Sequence, residues 1–183
     1  MKLRLLAALL AIVSFSAQAN TLNTTVDVST KTKTVQYVNF NVSTAGAFSI
    51  TATRNLADVT HYLADPFVYL FKSSLDAANF LQANDDANDF TWNSLINRNL
   101  DYGSYILAIS SFNFTLDNAL NGTNLWVNDI NHGLVDIGIS SRTGIASLAN
   151  TTSSVSAVPL PAAAWLFGTG LLSLAGLRKR KSA

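Results

Sequence analysis

The stretch Val35-Gln36-Tyr37-Val38-Asn39-Phe40-Asn41-Val42 decides the fold class. Gln36, Val38, Phe40 and Val42 fall on one side of an extended chain, and Val35, Tyr37, Asn39 and Asn41 on the other. Successive side chains of a strand point to opposite faces, so this period of two predicts a half-buried β-strand. Phe48, Ile50 and Ala52 continue the alternation after Thr44-Ala45-Gly46, which predicts a second strand joined to the first as a hairpin.

Outward from there the same signals recur. Asp65-Pro66 opens the apolar run Phe67-Val68-Tyr69-Leu70-Phe71, and Asp101-Tyr102-Gly103 leads into Tyr105-Ile106-Leu107-Ala108-Ile109. Runs of that length without polar alternation predict strands covered on both faces. Further strands are expected at 25–29, 80–82, 125–127, 134–139 and 143–148, with eighteen Asn residues, Asp and Gly supplying turns. Little helical periodicity is present. About eight short strands predict an all-β domain, an antiparallel β-sandwich or jelly roll, over residues 20–146. Residues 147–157, rich in Ser and Thr and without charge, read as a linker.

The charge is unevenly distributed. The 183 residues carry a net charge of +1, yet residues 20–157 hold six bases against all eleven acids, and residues 158–183 hold four bases and no acid. An acidic central domain speaks against nucleic-acid binding, because it would meet a phosphate backbone with like charge. All eleven acids are Asp and there is no Cys, which excludes Glu-dependent motifs, thiolate metal sites and a cysteine nucleophile.

The two ends read as addresses. Lys2 and Arg4 precede an apolar stretch from Leu5 to Val13, and Ala17-Gln18-Ala19 supplies small residues for signal peptidase. Residues 1–19 are therefore expected to be a signal peptide with an N-terminal signal helix, cut after Ala19. At the other end Val158-Pro159-Leu160-Pro161 precedes the uncharged stretch 162–177, and Arg178-Lys179-Arg180-Lys181 follows it. With its flanks such a stretch covers ~25 to 30 Å as a helix, enough for a single transmembrane helix. The terminal bases would keep the C-terminus in the cytoplasm and the body on the far side of the membrane. Pro159 and Pro161 disfavour helix in the residues before them, holding an extended segment at the membrane surface.

This Pro motif, apolar span and basic end closely resemble the PEP-CTERM protein-sorting tail in its VPLPA variant, over Val158 to Ala183. The resemblance implies recognition by an exosortase, an integral-membrane cysteine transpeptidase that cuts near the Pro motif and passes its substrate to the cell envelope or extracellular matrix. The usual Glu between the prolines is Leu160 here, which leaves the identity of the sorting enzyme open.

A second resemblance runs through residues 35–110. Phe48-Ser49-Ile50-Thr51-Ala52, Asp65-Pro66-Phe67-Val68-Tyr69-Leu70-Phe71, Asn84-Asp85-Asp86, Asn93-Ser94-Leu95-Ile96 and Leu100-x-x-Gly103-x-Tyr105-x-Leu107-Ala108-Ile109 follow the order of bacterial pre-peptidase C-terminal-like domains, which are secreted β-sandwiches. It implies calcium near the matching acidic loop in some members. Here the candidate ligands are Asp65, Asn84, Asp85, Asp86 and Asp89. Carboxylate and amide oxygens suit Ca²⁺, but Asp89 and Leu95 stand where an EF-hand needs Gly and the closing Glu. The other reading of 84–89 is an Asx-rich turn. His61 and His132 are the only imidazoles, too few for zinc without Asp. Trp92, Trp126 and the tyrosines are expected in the core, with stacking on sugar rings as the alternative where they are exposed.

Taken together, these features predict a non-enzymatic, exported envelope or matrix component associated with exopolysaccharide and biofilm. It is membrane-held until an exosortase-like transpeptidase processes it, and it carries no cofactor beyond the calcium candidate. The alternatives are a calcium- or carbohydrate-binding accessory module and, behind it, a secreted hydrolase for which no residue spacing speaks.

Overall fold

The computed structural model describes residues 20–29, 33–129 and 131–149. The expected signal helix, the sorting tail and the span at 162–177 lie outside the described residues. Among the described residues no helix is long and apolar enough to cross a membrane.

Among the described residues nine strands form two sheets: β1 (Asn20–Val28), β2 (Gln36–Thr44), β3 (Gly46–Arg54), β4 (Pro66–Lys72), β5 (Phe80–Asn84), β6 (Ser94–Leu100), β7 (Gly103–Ser111), β8 (Gly133–Ser141) and β9 (Ile145–Leu148). One sheet has the order β1-β8-β3-β6 and the other β5-β4-β7-β2-β9. Every pairing between these strands is antiparallel. The pairs β4–β5, β3–β6, β2–β7 and β1–β8 are nested in sequence, and alternate pairs go to alternate sheets. That is one long eight-stranded hairpin rolled into two layers, the winding of a jelly roll. Strand β9 adds an edge to the second sheet, taking in Ser147 and Leu148 from the stretch expected as linker.

Alternation fixes what faces inward. Val38, Phe40 and Val42 of β2 meet Phe48, Ile50 and Ala52 of β3 in a core shared with Val68, Leu70, Leu107, Ile109, Ile137 and Ile139. The expected hairpin between β2 and β3 is corrected: the two strands lie in different sheets. A tight hairpin needs residues at positive φ in its turn. Neither Ala45 nor Gly46 has one, and Ala45 alone separates the strands. The chain turns a corner instead, and Gly46 makes that possible. A Cβ there would lie 2.5 Å from the Gly144 amide nitrogen in the turn between β8 and β9.

The apolar runs at 67–71 and 105–109 are covered on both faces, as their composition predicts. The cover is a helix that periodicity does not reveal, α1 (Leu116–Asn121). Phe114 and Ala119 are buried against Phe71, Ala108 and Val35, with Tyr37, Phe67, Tyr69 and Ile106 packed around them. Tyr37 Oη donates to the Ala119 carbonyl at 2.7 Å and Tyr69 Oη to the Phe114 carbonyl at 3.1 Å. Burial raises the pKa of both phenols, so both stay protonated donors. Local signals for α1 are present: Thr115 caps it in a reciprocal box with Asn118, and Gly122 ends it at φ 77°.

Two further differences have local causes. Residues 125–127 form a turn rather than a strand, because Asn124 Oδ1 accepts from the Trp126 amide at 3.1 Å while Asn124 Nδ2 is tied to Ser110 Oγ and the Ser111 carbonyl. Strand β6 is hidden in the sequence because Arg98 takes an inward position between Ile96 and Leu100, yet it closes the first sheet against β3.

Gly46→Ala should destabilise the domain by about 1 to 3 kcal/mol, since the added carbon meets backbone that cannot swing away. Urea unfolding should show a lower midpoint with an unchanged slope. An unchanged midpoint would mean that the corner can relax.

Candidate functional site

Strand direction sorts the connections into two groups. Residues 29–35, 55–65, 85–93 and 112–132 join strands at one end of the sandwich, while residue 45 and residues 73–79, 101–102 and 142–144 join them at the other. The first end carries the longer segments, and hydrogen bonds knit these together. The Phe112 amide donates to the Asp65 carbonyl at 3.0 Å. The Arg54 amide donates to Asn93 Oδ1 at 3.1 Å, and the Asn124 amide to Thr34 Oγ1 at 2.9 Å.

The acidic loop lies at this end, and the structure divides its residues by role. Asn84 holds backbone: its Oδ1 accepts from the Leu95 amide at 2.7 Å and its Nδ2 donates to the Asp86 carbonyl at 3.0 Å. Buried Ser94 shares its one hydroxyl proton among the carbonyls of Pro66, Asn84 and Asp85. Asp85 Oδ1 accepts from the Asp86 amide at 2.9 Å. Asn88 Oδ1 accepts from the Phe90 amide at 2.9 Å, the Asx turn that composition suggests. Asp89 is exposed and takes no part in these contacts.

Asp65 stands apart chemically. Its Oδ1 is buried and has no hydrogen-bond partner. Burial first, then repulsion from Asp86 and Asp85, pushes its carboxyl up to about 6. Three of the five candidate calcium ligands, Asp65, Asp85 and Asp86, are thus close enough to feel one another, whereas Asn84 is engaged in backbone bonds and Asp89 stands off. Among the described residues no three carboxylate or imidazole groups come together as a metal centre.

The same end carries the imidazoles. His61 and His132 meet edge to face with ring centroids 5.1 Å apart, and His61 Nε2 lies 3.2 Å from Asp27 Oδ1. His132 Nδ1 contacts the Asn128 carbonyl within its own loop at 3.0 Å, and the ring pair joins the 55–65 and 112–132 connections.

Trp92 and Trp126, expected in the core, are 58% and 60% exposed. The reason is positional: each sits in a loop whose polar neighbours, Asn93 and Asn124, take the anchoring bonds and leave the indole outside. The Arg54 guanidinium lies 6.0 Å from the Trp92 ring centre, a cation–π distance. Phe90 is 97% exposed beside it, which makes this end the more apolar of the two.

The chain matches no protein-family model. No curated protein matches it. Among solved structures it is similar to the pre-peptidase C-terminal domain of a collagenase from Bacillus anthracis, at 14% identity and a TM-score of 0.44, over 66% of this chain and 89% of that one.

A carboxyl group whose pKa is raised by folding binds its proton more tightly in the native state than in the unfolded chain, where it titrates near 3.9. Stability from Asp65 is therefore greatest below about pH 4, falls as pH rises toward 6, and stays reduced above that. Asp65→Asn should remove this slope and stabilise the protein at pH 8 by about 1 kcal/mol, less than full linkage because the carboxyl is partly exposed to solvent. Thermal melts from pH 4 to 8 test it. An identical slope in the variant would assign the pH dependence elsewhere.

Proposed function

We propose that this chain is an exported cell-envelope or extracellular-matrix protein of non-enzymatic character. Signal peptidase removes residues 1–19, the span at 162–177 holds the body at the membrane, and an exosortase-like transpeptidase recognises Val158-Pro159-Leu160-Pro161. The observation that carries this reading is the coincidence, in one chain, of a signal sequence, a Pro motif, an apolar span and a basic end, in an order and polarity that agree on one topology. The body is compatible with it. The described strand β1 (Asn20–Val28) lies wholly after Ala19, and Asn20 Oδ1 accepts from the Ala146 amide at 2.9 Å, so a cut after Ala19 leaves both partners of that bond in place.

A second reading, in which the body also binds polysaccharide, is favoured by the exposure of Trp92 and Trp126. Flat indole faces left in solvent are the usual partners of sugar rings.

Replacing Pro159 and Pro161 together by Ala, in the producing bacterium, should leave the chain unprocessed in the membrane fraction. Mass spectrometry of the wild-type protein released from cells should find a C-terminus upstream of Arg178. A released protein still carrying Arg178 to Lys181 would overturn the processing claim.

A further inference from the structure

The outer faces of the two sheets differ. That of β4, β7 and β2 is covered by α1, whereas no segment among the described residues packs over the outer face of β1-β8-β3-β6. Sequence register makes that bare face a grid. Thr21, Ser140, Ser49 and Asn97 stand side by side across all four strands. One step along the strands, Gly138 and Thr51 occupy the middle. A Cβ on Gly138 would lie 2.8 Å from Thr51 Oγ1, so the glycine keeps the floor low there.

Two clefts follow the grid. One, of about 660 Å³, is lined by that first row together with Asn99, Arg98 and Arg142. The other, of about 420 Å³, runs over Gly138 and Thr51 toward Asp136. No aromatic side chain but Phe48, itself a core residue, borders either one. The lining is hydroxyl and amide, groups that both donate and accept and so match the hydroxyls of a sugar chain.

Charge narrows the class of ligand. The central domain is acidic, yet two of its bases, Arg98 and Arg142, border the larger cleft and no acid does; of the two, Arg98 stands in register with core residue Phe48 and so turns its side chain to the inner face, which leaves Arg142 as the base on the outer face. Neither is in a salt bridge among the described residues. Arg98 Nη1 donates to the Leu81 carbonyl of β5 in the other sheet at 3.1 Å, so its head bridges the two layers and is not offered to the outer face. Arg142, in the β8–β9 turn, is exposed. The nearest carboxylate along β8 is Asp136, two rows from Ser140, about 14 Å at strand spacing. That exceeds the screening length of about 8 Å in physiological salt, and Asp136 Oδ1 already accepts from Thr25 and Asn55.

We propose that this sheet face binds an acidic polysaccharide, laid across the grid with a carboxylate at Arg142. The inference rests on the reading that the body binds polysaccharide. It deepens that reading by naming the class of sugar and by placing the strand on the sheet rather than on the loop tryptophans. A guanidinium holds a carboxylate through two parallel hydrogen bonds, a geometry that a neutral glycan cannot supply.

The test uses the full chain purified in mild detergent, with polygalacturonate as acidic probe and dextran as neutral probe. Binding to polygalacturonate, weakened about ten-fold in Arg142→Gln and lowered by added salt, is expected, with little binding to dextran. Asn97→Ala should weaken it as well, while Trp92→Ala and Trp126→Ala should bind like wild type. Loss in the tryptophan variants with full binding by Arg142→Gln would overturn the sheet site and leave polysaccharide binding standing. Failure to bind either probe would overturn both. Equal affinity for dextran would overturn the acidic class. A detergent-solubilised dimer that Ser49→Trp dissociates, in a chain blind to polygalacturonate, would identify the occupant as a second copy.

Discussion

Strands β2 and β3 leave a single residue between them, and that corner governs the molecule. With only Ala45 to turn on, the chain cannot fold back beside itself and has to step into the other sheet. Once it has done so, each later strand finds its partner by nesting: β6 returns to β3, β7 to β2 and β8 to β1. The corner holds because Gly46 and Gly144 bring two turns into backbone contact, with the Phe48 ring closing the space beside Gly144. Alternation along the strands then fills the interior between the layers, and segregation of short and long connections follows from strand direction alone.

Much of this was legible because strand patterning is a local property. Val38, Phe40 and Val42 declare their face whatever they pair with, and Phe67 to Phe71 declare that both faces are covered. What patterning omits is the partner. A hairpin and a corner present the same alternation, and only the absence of a positive-φ pair at Ala45-Gly46 separates them. Helix α1 was hidden for a different reason: at six residues it is too short for a period of 3.6 to emerge, although Thr115, Asn118 and Gly122 mark its ends. The acidic stretch gave its composition but not its geometry. Nothing in Asn84-Asp85-Asp86 tells that Asn84 turns to the backbone of β6 while Asp65, nineteen positions earlier, becomes the group whose charge is costly.

The two outer faces of the sandwich contribute unequally to stability. Aromatic side chains on the five-stranded sheet are spent under α1, where Phe67, Tyr69, Phe71 and Phe114 pack ring against ring. The four-stranded sheet carries almost none on its outside and is left with hydroxyls, amides and a glycine. A surface of small polar groups adds little to folding, so its composition is free to answer to a ligand, whereas the covered face is not.

The outermost of the nested pairs joins Asn20–Val28 to Gly133–Ser141, strands at opposite ends of the body. For a chain that emerges N-terminus first, from a ribosome or through a membrane pore, β1 has no partner until almost the whole body has appeared. Closing so long a loop is slow, and contacts this distant in sequence lower folding rates generally. Such a chain gains its tertiary lock only when the last strands come within reach of the first.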